Sequence, residues 1–409
     1  MPQYLTEATT YLKAKGEYSI NPAKYRPITC LCTMYKIITA CIDEKIYKHC
    51  EDQQILAEEQ KGCVKKAFGC KEQLTIDTVV TKQAWKSGRR LYTAYIDYQK
   101  AYDTVPHSWL REILTIYKVD ETLRKFLDKI MKQWKTTLLL NTVNTNMKIE
   151  DVKIKRGIFQ GDTLSPRWFC LAINPISRIL NEGENGFIVK HGNAMRQKIS
   201  HLFYMDDFKL YAKNEIEMQG MLKKVAEFSE DIRMKFGLEK CRQMTIAARK
   251  IEEKSTVLHG SDDEQQTMEA LGHDEIYKYL GMEQNRLTDA KIVKERLRKE
   301  FRRRLNAVCK TGLNGKNLAK AINTFAIPVL TYSFGVIKWS KTETEELMRN
   351  IRTTLTRHRY HHPKSAVERT VVPRREGGQG IIDIPSLKDR QVLGMRNYFQ
   401  KKAERSTII

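Results

Sequence analysis

The chain has 409 residues, 41% of them hydrophobic, which is enough for a sizeable core spread over two or three domains. Lys plus Arg number 72 against 49 Asp plus Glu, a formal charge of +23, which suits a polyanionic partner such as nucleic acid or an anionic membrane, although a merely solvated basic surface meets the same balance. No apolar run reaches the length of about 18 residues that a membrane helix needs, and "MPQYLTEATTYLKAKGEYS" at the start lacks the charged-then-apolar order of a secretory signal.

In chain order, short extended pieces precede a helix around "CTMYKIITACIDEKIYKHC", where Met34, Ile37, Ile38, Cys41, Ile42 and Ile46 recur at three- and four-residue spacing. "RRLYTAYID" alternates and is rich in Tyr and Thr, which predicts a strand ending at Asp97. Helical patterns follow from about Ser108 to Trp134, and "TTLLLNTVNTNMKIEDVKIKRG" reads as hairpin strands. A helix is expected from Ser165, with that serine as N-cap, Pro166 in the first position and a break or kink at Pro175. "ISHLFYMDDFKLYA" reads as strand, tight turn, strand, with Asp206 and Asp207 at the turn. A helix from about Glu215 to Phe236 and short strands up to "YKYLGM" come next, and beyond about Asn285 the pattern is helical and strongly basic. The nine cysteines form no CxxC pair, and a reducing intracellular setting is the default. His358, His361 and His362 have no cysteine nearby and read as surface or packing residues.

Two adjacent carboxylates repel each other and resist burial. A third acid on another strand end changes the reading, because three converging carboxylates can hold two divalent cations, and Asp97 is that acid. Two Mg²⁺ roughly 3.5–4 Å apart activate an attacking oxygen and stabilise a leaving one in phosphoryl transfer. Hard oxygen ligands suit Mg²⁺, with Mn²⁺ as substitute.

"YIDYQKAYD", "QGDTLSP" and "YMDD", in this order, resemble the successive palm motifs of reverse transcriptases. With "KYRPITCLCTMYK", "RGIFQGDTLSP", "FGLEKC" and "YKYLGM", the chain is similar to the polymerase of non-LTR (LINE-type) retrotransposons, over residues 11 to 282 and more loosely through "EGGQGIIDI". The resemblance implies an α+β right-hand polymerase. Fingers and palm, with a mixed or antiparallel sheet, fall in residues 1–283, a basic helical thumb in 284–360, and a tail in 361–409 that would link to an absent endonuclease. It implies an RNA-directed DNA polymerase that adds dNTPs to a primer 3′-OH. RNA template, DNA primer or target and dNTPs are its partners, Mg²⁺ its cofactor, and the nucleus its place of action, with the cytoplasm as the other possibility.

Residue by residue, the resemblance makes Asp97, Asp206 and Asp207 metal ligands and Tyr102 the aromatic gate that excludes a 2′-OH. Asp103 is given a structural part, holding the turn or a basic side chain. Gln160 and Gly161 touch the nucleotide and template. Lys15 and Arg26 hold the triphosphate, although Ala14 stands where the family usually has Pro. Lys240 resembles a proposed general acid to pyrophosphate, with a solvated surface lysine as the lesser alternative. Tyr279, Leu280 and Gly281 resemble the primer grip, or a plain buried hairpin. In "KERLRKEFRRRL", Leu297, Phe301 and Leu305 share one helical stripe, with Arg296, Arg303 and Arg304 opposite as duplex contacts. A surface helix or a nuclear import signal has the same pattern. "EGGQG" lacks the G-K-[ST] finish of a phosphate loop and reads as a turn. Two rivals remain: an RNA-dependent RNA polymerase, opposed by Tyr102 and "QGDTLSP", and a maturase-like RNA-binding protein that keeps the fold without synthesis.

Overall fold

The computed structural model describes residues 2–16, 19, 21, 24–141, 146–191, 195–253, 256–258, 266–285 and 287–404. The chain forms two compact units, one of residues 1–69 and 84–272, the other of residues 70–83 and 273–409.

The strands of the first unit are, in order, β1 (Glu7–Ala14), β2 (Tyr25–Leu31), β3 (Leu91–Ile96), β4 (Lys135–Asn141), β5 (Asn146–Lys153), β6 (Phe187–His191), β7 (Met195–Ile199), β8 (His201–Tyr204), β9 (Asp207–Ala212), β10 (Arg242–Ala247), β11 (Lys250–Glu252), β12 (Thr256–Leu258) and β13 (Gln266–Ala270). A four-stranded sheet has the order β2-β1-β4-β5, with β1 and β4 parallel and the other pairs antiparallel. Its strands are tied by buried threonines: the Thr10 hydroxyl lies 3.0 Å from that of Thr29 and 2.7 Å from that of Thr136. The turn expected between β4 and β5, residues 142–145, lies outside the described residues.

The larger sheet has the order β12-β13-β10-β3-β9-β8, with β11 beside β10. It is mixed, because β10 and β13 run parallel while the remaining pairs are antiparallel. All six residues of β3 are buried, so the strand is covered on both faces, and the alternation read in "RRLYTAYID" does not mark a solvent face. Helices Ser165–Asn181 and Glu215–Asp231 bury Phe169, Ile173, Ile176, Met221, Leu222 and Val225 in the core that also takes Ile96, Phe208 and Leu210.

The second unit has a hairpin of β14 (Tyr277–Tyr279) and β15 (Met282–Gln284), then helices Ala290–Cys309, Gly315–Ala321, Lys341–Arg357 and Ile384–Ala403. Val293, Leu297, Phe301 and Leu305 form the buried stripe of the first of these helices, as their spacing predicts. Ser340 and Glu343 close a capping box at the start of Lys341–Arg357.

Three local expectations change. Helix Thr33–Asp52 buries Tyr35, Thr39, Ile42, Ile46, Tyr47 and Cys50, while Met34, Ile37 and Cys41 are exposed. Polar side chains with distant partners turn its face: the Tyr35 hydroxyl accepts from Trp134 at 3.0 Å, and the Thr39 hydroxyl donates to Asp162 at 2.6 Å. Ser165 opens its helix but is not the cap; Leu164 holds that position. The carboxylate of Asp162 instead accepts the Thr163 amide at 2.7 Å, while the Ser165 hydroxyl is buried without a partner among the described residues. Pro175 does not end the helix, which continues to Asn181.

Candidate active site

Strand register assembles the site. β3 pairs with β9 so that Ile96 faces Phe208, and one further step sets Asp97 opposite Asp207. On its other side β3 pairs with β10, with Tyr95 facing Arg242, and continuing that ladder brings Lys240 beside Asp97. β8 and β9 are joined at Met205 and Asp206, with Met205 in the left-handed region at φ 56°. Three stretches far apart in sequence thus meet at one end of the sheet, bringing together Asp97, Asp206, Asp207 and Lys240. Lys240 Nζ donates to Asp97 Oδ1 at 2.8 Å, and the backbone carbonyl of Asp97 accepts the Gly237 amide at 2.8 Å.

The electrostatics of this end are those of crowded anions that Lys240 and Arg26 offset only in part. Burial raises the Asp207 carboxyl, the charges of Asp206 and Asp97 raise it further, and together they push it up to about 7. Asp206 is raised by burial and by Asp97, with Lys240 and Arg26 opposing. Among the described residues no group of three acid, histidine or cysteine side chains is already gathered to hold a metal ion. The chemistry of the donors nevertheless fits a hard divalent cation: oxygen-only ligands, clustered, partly buried and mutually repulsive.

Opposite the acids stands a basic and polar wall. Lys15, Arg26, Lys100, Tyr102, Gln160 and Gly161 line, with the four residues above, a cleft of about 510 Å³. Lys13 pairs with Arg26 across β1 and β2, and Lys15 follows the end of β1, so Lys15 and Arg26 of the wall come from neighbouring strand ends. The Gln160 carbonyl accepts the Thr29 amide at 2.9 Å, docking "QGD" on β2. Gly161 has φ 142°, and a Cβ there would stand 2.2 Å from the Thr29 carbonyl oxygen, so the close approach requires glycine. Asp103 accepts from Gln160 Nε2 at 3.2 Å; its structural part is to orient this amide rather than a basic side chain. The Tyr102 ring stacks on Phe169 with centroids 4.9 Å apart, and its hydroxyl reaches the Met205 sulfur at 3.7 Å. Four cations and four carboxylates therefore share the cleft, and Asp97, Asp206 and Asp207 sit at one sheet end.

Residues 12–284, about two thirds of the chain, match the family model described as reverse transcriptase (RNA-dependent DNA polymerase). The chain belongs to that family. Its reverse transcriptase domain is related to the Pol polyproteins of R2 retrotransposable elements. It is 25% identical over 290 residues to that of Nasonia vitripennis, covering 69% of this chain and 26% of the relative. It is 24% identical over 338 residues to the R2DM element of Drosophila melanogaster, covering 82% and 30%. For an R2 element of Popillia japonica the identity is 24% over 386 residues, covering 92% and 50%. The chain thus spans between about a quarter and half of the length of these relatives. Among solved structures, telomerase from Candida tropicalis with a fragment of telomeric RNA is 12% identical, with a TM-score of 0.45, covering 88% of this chain and 63% of that one.

The motif reading of this reverse transcriptase missed Gln60, which is 2% exposed. Its Oε1 accepts the amides of Met205 at 2.9 Å and Gly62 at 2.8 Å, and its Nε2 donates to the Met205 carbonyl at 3.4 Å. The segment around it bridges to β8 through Lys61 N to Phe203 O at 3.0 Å and Phe203 N to Glu59 O at 3.1 Å. A glutamine in "AEEQKGC" carries no local signal of this; only the distant turn gives it a purpose.

The remaining expected residues belong to the second unit. Tyr279 ends β14, and Leu280 (φ 44°) and Gly281 (φ 77°) make a two-residue hairpin turn. The Leu280 carbonyl accepts the Tyr332 hydroxyl at 2.6 Å. Arg296 donates to the Gly281 carbonyl at 2.9 Å and pairs with Glu283, while Arg303 and Arg304 both bond Glu300. All three arginines are thus engaged inside the unit.

Proposed function

We propose that this chain is the polymerase of an R2-like non-LTR retrotransposon, adding dNTPs to a primer 3′-OH on an RNA template. The observation that carries the reading is the joint lining of one cleft by Asp97, Asp206, Asp207, Lys240, Tyr102, Gln160, Gly161, Lys15 and Arg26. In the step, the primer 3′-oxygen forms a bond to the α-phosphorus, the bond to the β-phosphate oxygen breaks, and pyrophosphate leaves with the electron pair.

Asp97, Asp206 and Asp207 are the residues that would hold two Mg²⁺, or Mn²⁺ in their place. When bound, such ions activate the attacking oxygen and neutralise charge on the leaving one. The protein's own groups supply the rest. Arg26 presents a planar fork and Lys15 a point charge to the triphosphate. Tyr102, braced by Phe169, limits the space for a ribose 2′-OH. Gln160, oriented by Asp103, meets the nucleotide or template. Lys240 lies at the cleft and is the candidate proton donor to pyrophosphate. The hairpin at Tyr279–Gly281 remains the candidate primer grip, and the basic helix Ala290–Cys309 the candidate thumb.

The test is primer extension on an RNA template with dNTPs and Mg²⁺ or Mn²⁺, comparing wild type with Asp206→Asn. Extension by wild type alone is expected. Equal extension by both removes the proposed metal site, and none by either, from folded protein that still binds the duplex, leaves only nucleic-acid binding.

A further inference from the structure

The "EGGQG" stretch, read from sequence as a turn, forms part of a cleft of about 310 Å³ in the second unit. Its wall is pinned by backbone bonds: Gln379 N to Arg369 O at 2.8 Å, Gly380 N to Val372 O at 2.9 Å and Ile381 N to Thr370 O at 3.0 Å. A Cβ on Gly378 would stand 1.9 Å from the Val372 carbonyl oxygen, so this packing admits glycine alone. Asn323 ties the same loop to its neighbouring helical segment, donating to the Gly380 carbonyl and accepting the Ile382 amide. The concavity is therefore built into the fold.

Its lining combines three chemistries. The floor is apolar, with buried Leu318, Ile322 and Leu355. The rim carries Arg369 and Arg374, both exposed, and among the described residues no carboxylate lines the cleft. Among the described residues neither guanidinium makes a hydrogen bond or ion pair, in contrast to Arg296, Arg303 and Arg304. Residues 352–375 hold seven Lys and Arg against the single acid Glu368. The His361 imidazole reports this field: burial holds its pKa below the ordinary value, and Arg352 and Arg369 add to the effect. Between floor and rim lie Tyr360 and Gln379. Gln379 Nε2 donates to the Tyr360 carbonyl at 3.1 Å, which fixes the amide, and its Oε1 accepts nothing among the described residues.

An apolar floor, an aromatic ring and two guanidiniums without partners among the described residues offer a nucleotide unit a surface for its base and a fork for its phosphate. The volume falls at the small end of ligand pockets, about 300–1,000 Å³, which suits one nucleotide rather than a duplex. We propose that this cleft holds one nucleotide of a single-stranded nucleic acid, with its phosphate on Arg369 and Arg374, as an anchoring site apart from the polymerase cleft. The assignment rests on the polymerase reading only for its partner class.

The test is fluorescence anisotropy of the full chain with labelled uridine and thymidine oligonucleotides over a KCl titration. Arg369→Ala/Arg374→Ala is expected to weaken binding about tenfold and to make log K against log[salt] shallower by about 0.7, the value for one lost phosphate contact on a single strand. Arg375→Ala, which removes a neighbouring charge paired with Glu376, should stay within about twofold of wild type. Unchanged binding in the double variant overturns the proposal, as does an equal loss in Arg375→Ala, which would mean diffuse attraction. Competition by free UMP as strongly as by the oligonucleotide overturns the strand assignment in favour of a nucleotide site. A preference between the uridine and thymidine strands assigns RNA or DNA as the source. Both arginines are exposed, and equal melting temperatures establish that the variant is folded. Extension of a short pre-annealed primer–template by the double variant should match wild type. Loss of extension in wild type would strike the polymerase reading and leave this binding result standing.

Discussion

Replacing Gln60 by Ala tests whether the active-site turn is held from behind. The side chain accepts two backbone amides and donates to one carbonyl in a place that is 2% exposed. Removing it leaves the Met205 and Gly62 amides buried without an acceptor, at about 1–3 kcal/mol each, so about 2–6 kcal/mol of stability should be lost. Met205 sits at φ 56°, a conformation that costs a non-glycine residue about 1–2 kcal/mol and that these bonds offset. The bridge between residues 59–61 and Phe203 does not use this side chain and keeps β8 docked, so relaxation is confined to the turn. Asp206 is the next residue, and a displacement of about 1 Å there is expected to lower kcat about a hundredfold. Steady-state extension with a divalent-cation titration, beside thermal melting, reads both effects. The half-saturating metal concentration should rise with the fall in kcat. A protein that melts earlier but keeps wild-type kcat and metal dependence would refute the reasoning, since Gln60 would then hold the fold without setting the acid.

The Asp207 carboxyl gives a pH prediction. Its folded pKa, about 7, is raised above the unfolded value of about 3.9, so its contribution to stability is full below about pH 4 and is lost as pH rises through 7. In chelator the wild-type melting temperature should therefore fall between these limits, and Asp207→Asn should flatten that fall; identical profiles would contradict it. Tyr102→Ala should retain dNTP incorporation but accept rNTPs more readily, by about 10–200-fold for a steric exclusion of this kind, read as a ratio of kcat/KM values. Unchanged discrimination would remove the gate assignment.

The acids were legible because a strand ending in Asp97 and a hairpin ending in two aspartates are local patterns, and the family resemblance supplied their meeting. Register then made the meeting physical, with β9 and β10 on either side of β3. What sequence could not reveal were partnerships across long separations. Tyr35 and Thr39 turn helix Thr33–Asp52 because Trp134 and Asp162 bond them. Ser165 has the composition of a cap, yet Leu164 holds that position without a side-chain bond, and Asp162 accepts the Thr163 amide just ahead of the helix. Arg303 and Arg304 read as duplex contacts, and that reading does not include their pairing with Glu300, three and four residues before them. That last pairing lay within reach of helical spacing.

The second unit draws residues 70–83 from early in the chain, and there Glu72, fully buried, accepts bonds from Tyr398 and Lys402. Lys402 follows Glu72 by 330 residues. At about 5–20 residues per second, a ribosome needs roughly 20–60 s to travel between them. For that interval the carboxylate has been made and its partners have not. The first unit, complete by residue 272, can fold while translation continues, but the second cannot close until the last helix emerges. A fragment starting at residue 273 would never acquire Glu72, so its final helix would lack the acceptor that its Tyr398 and Lys402 are placed to meet.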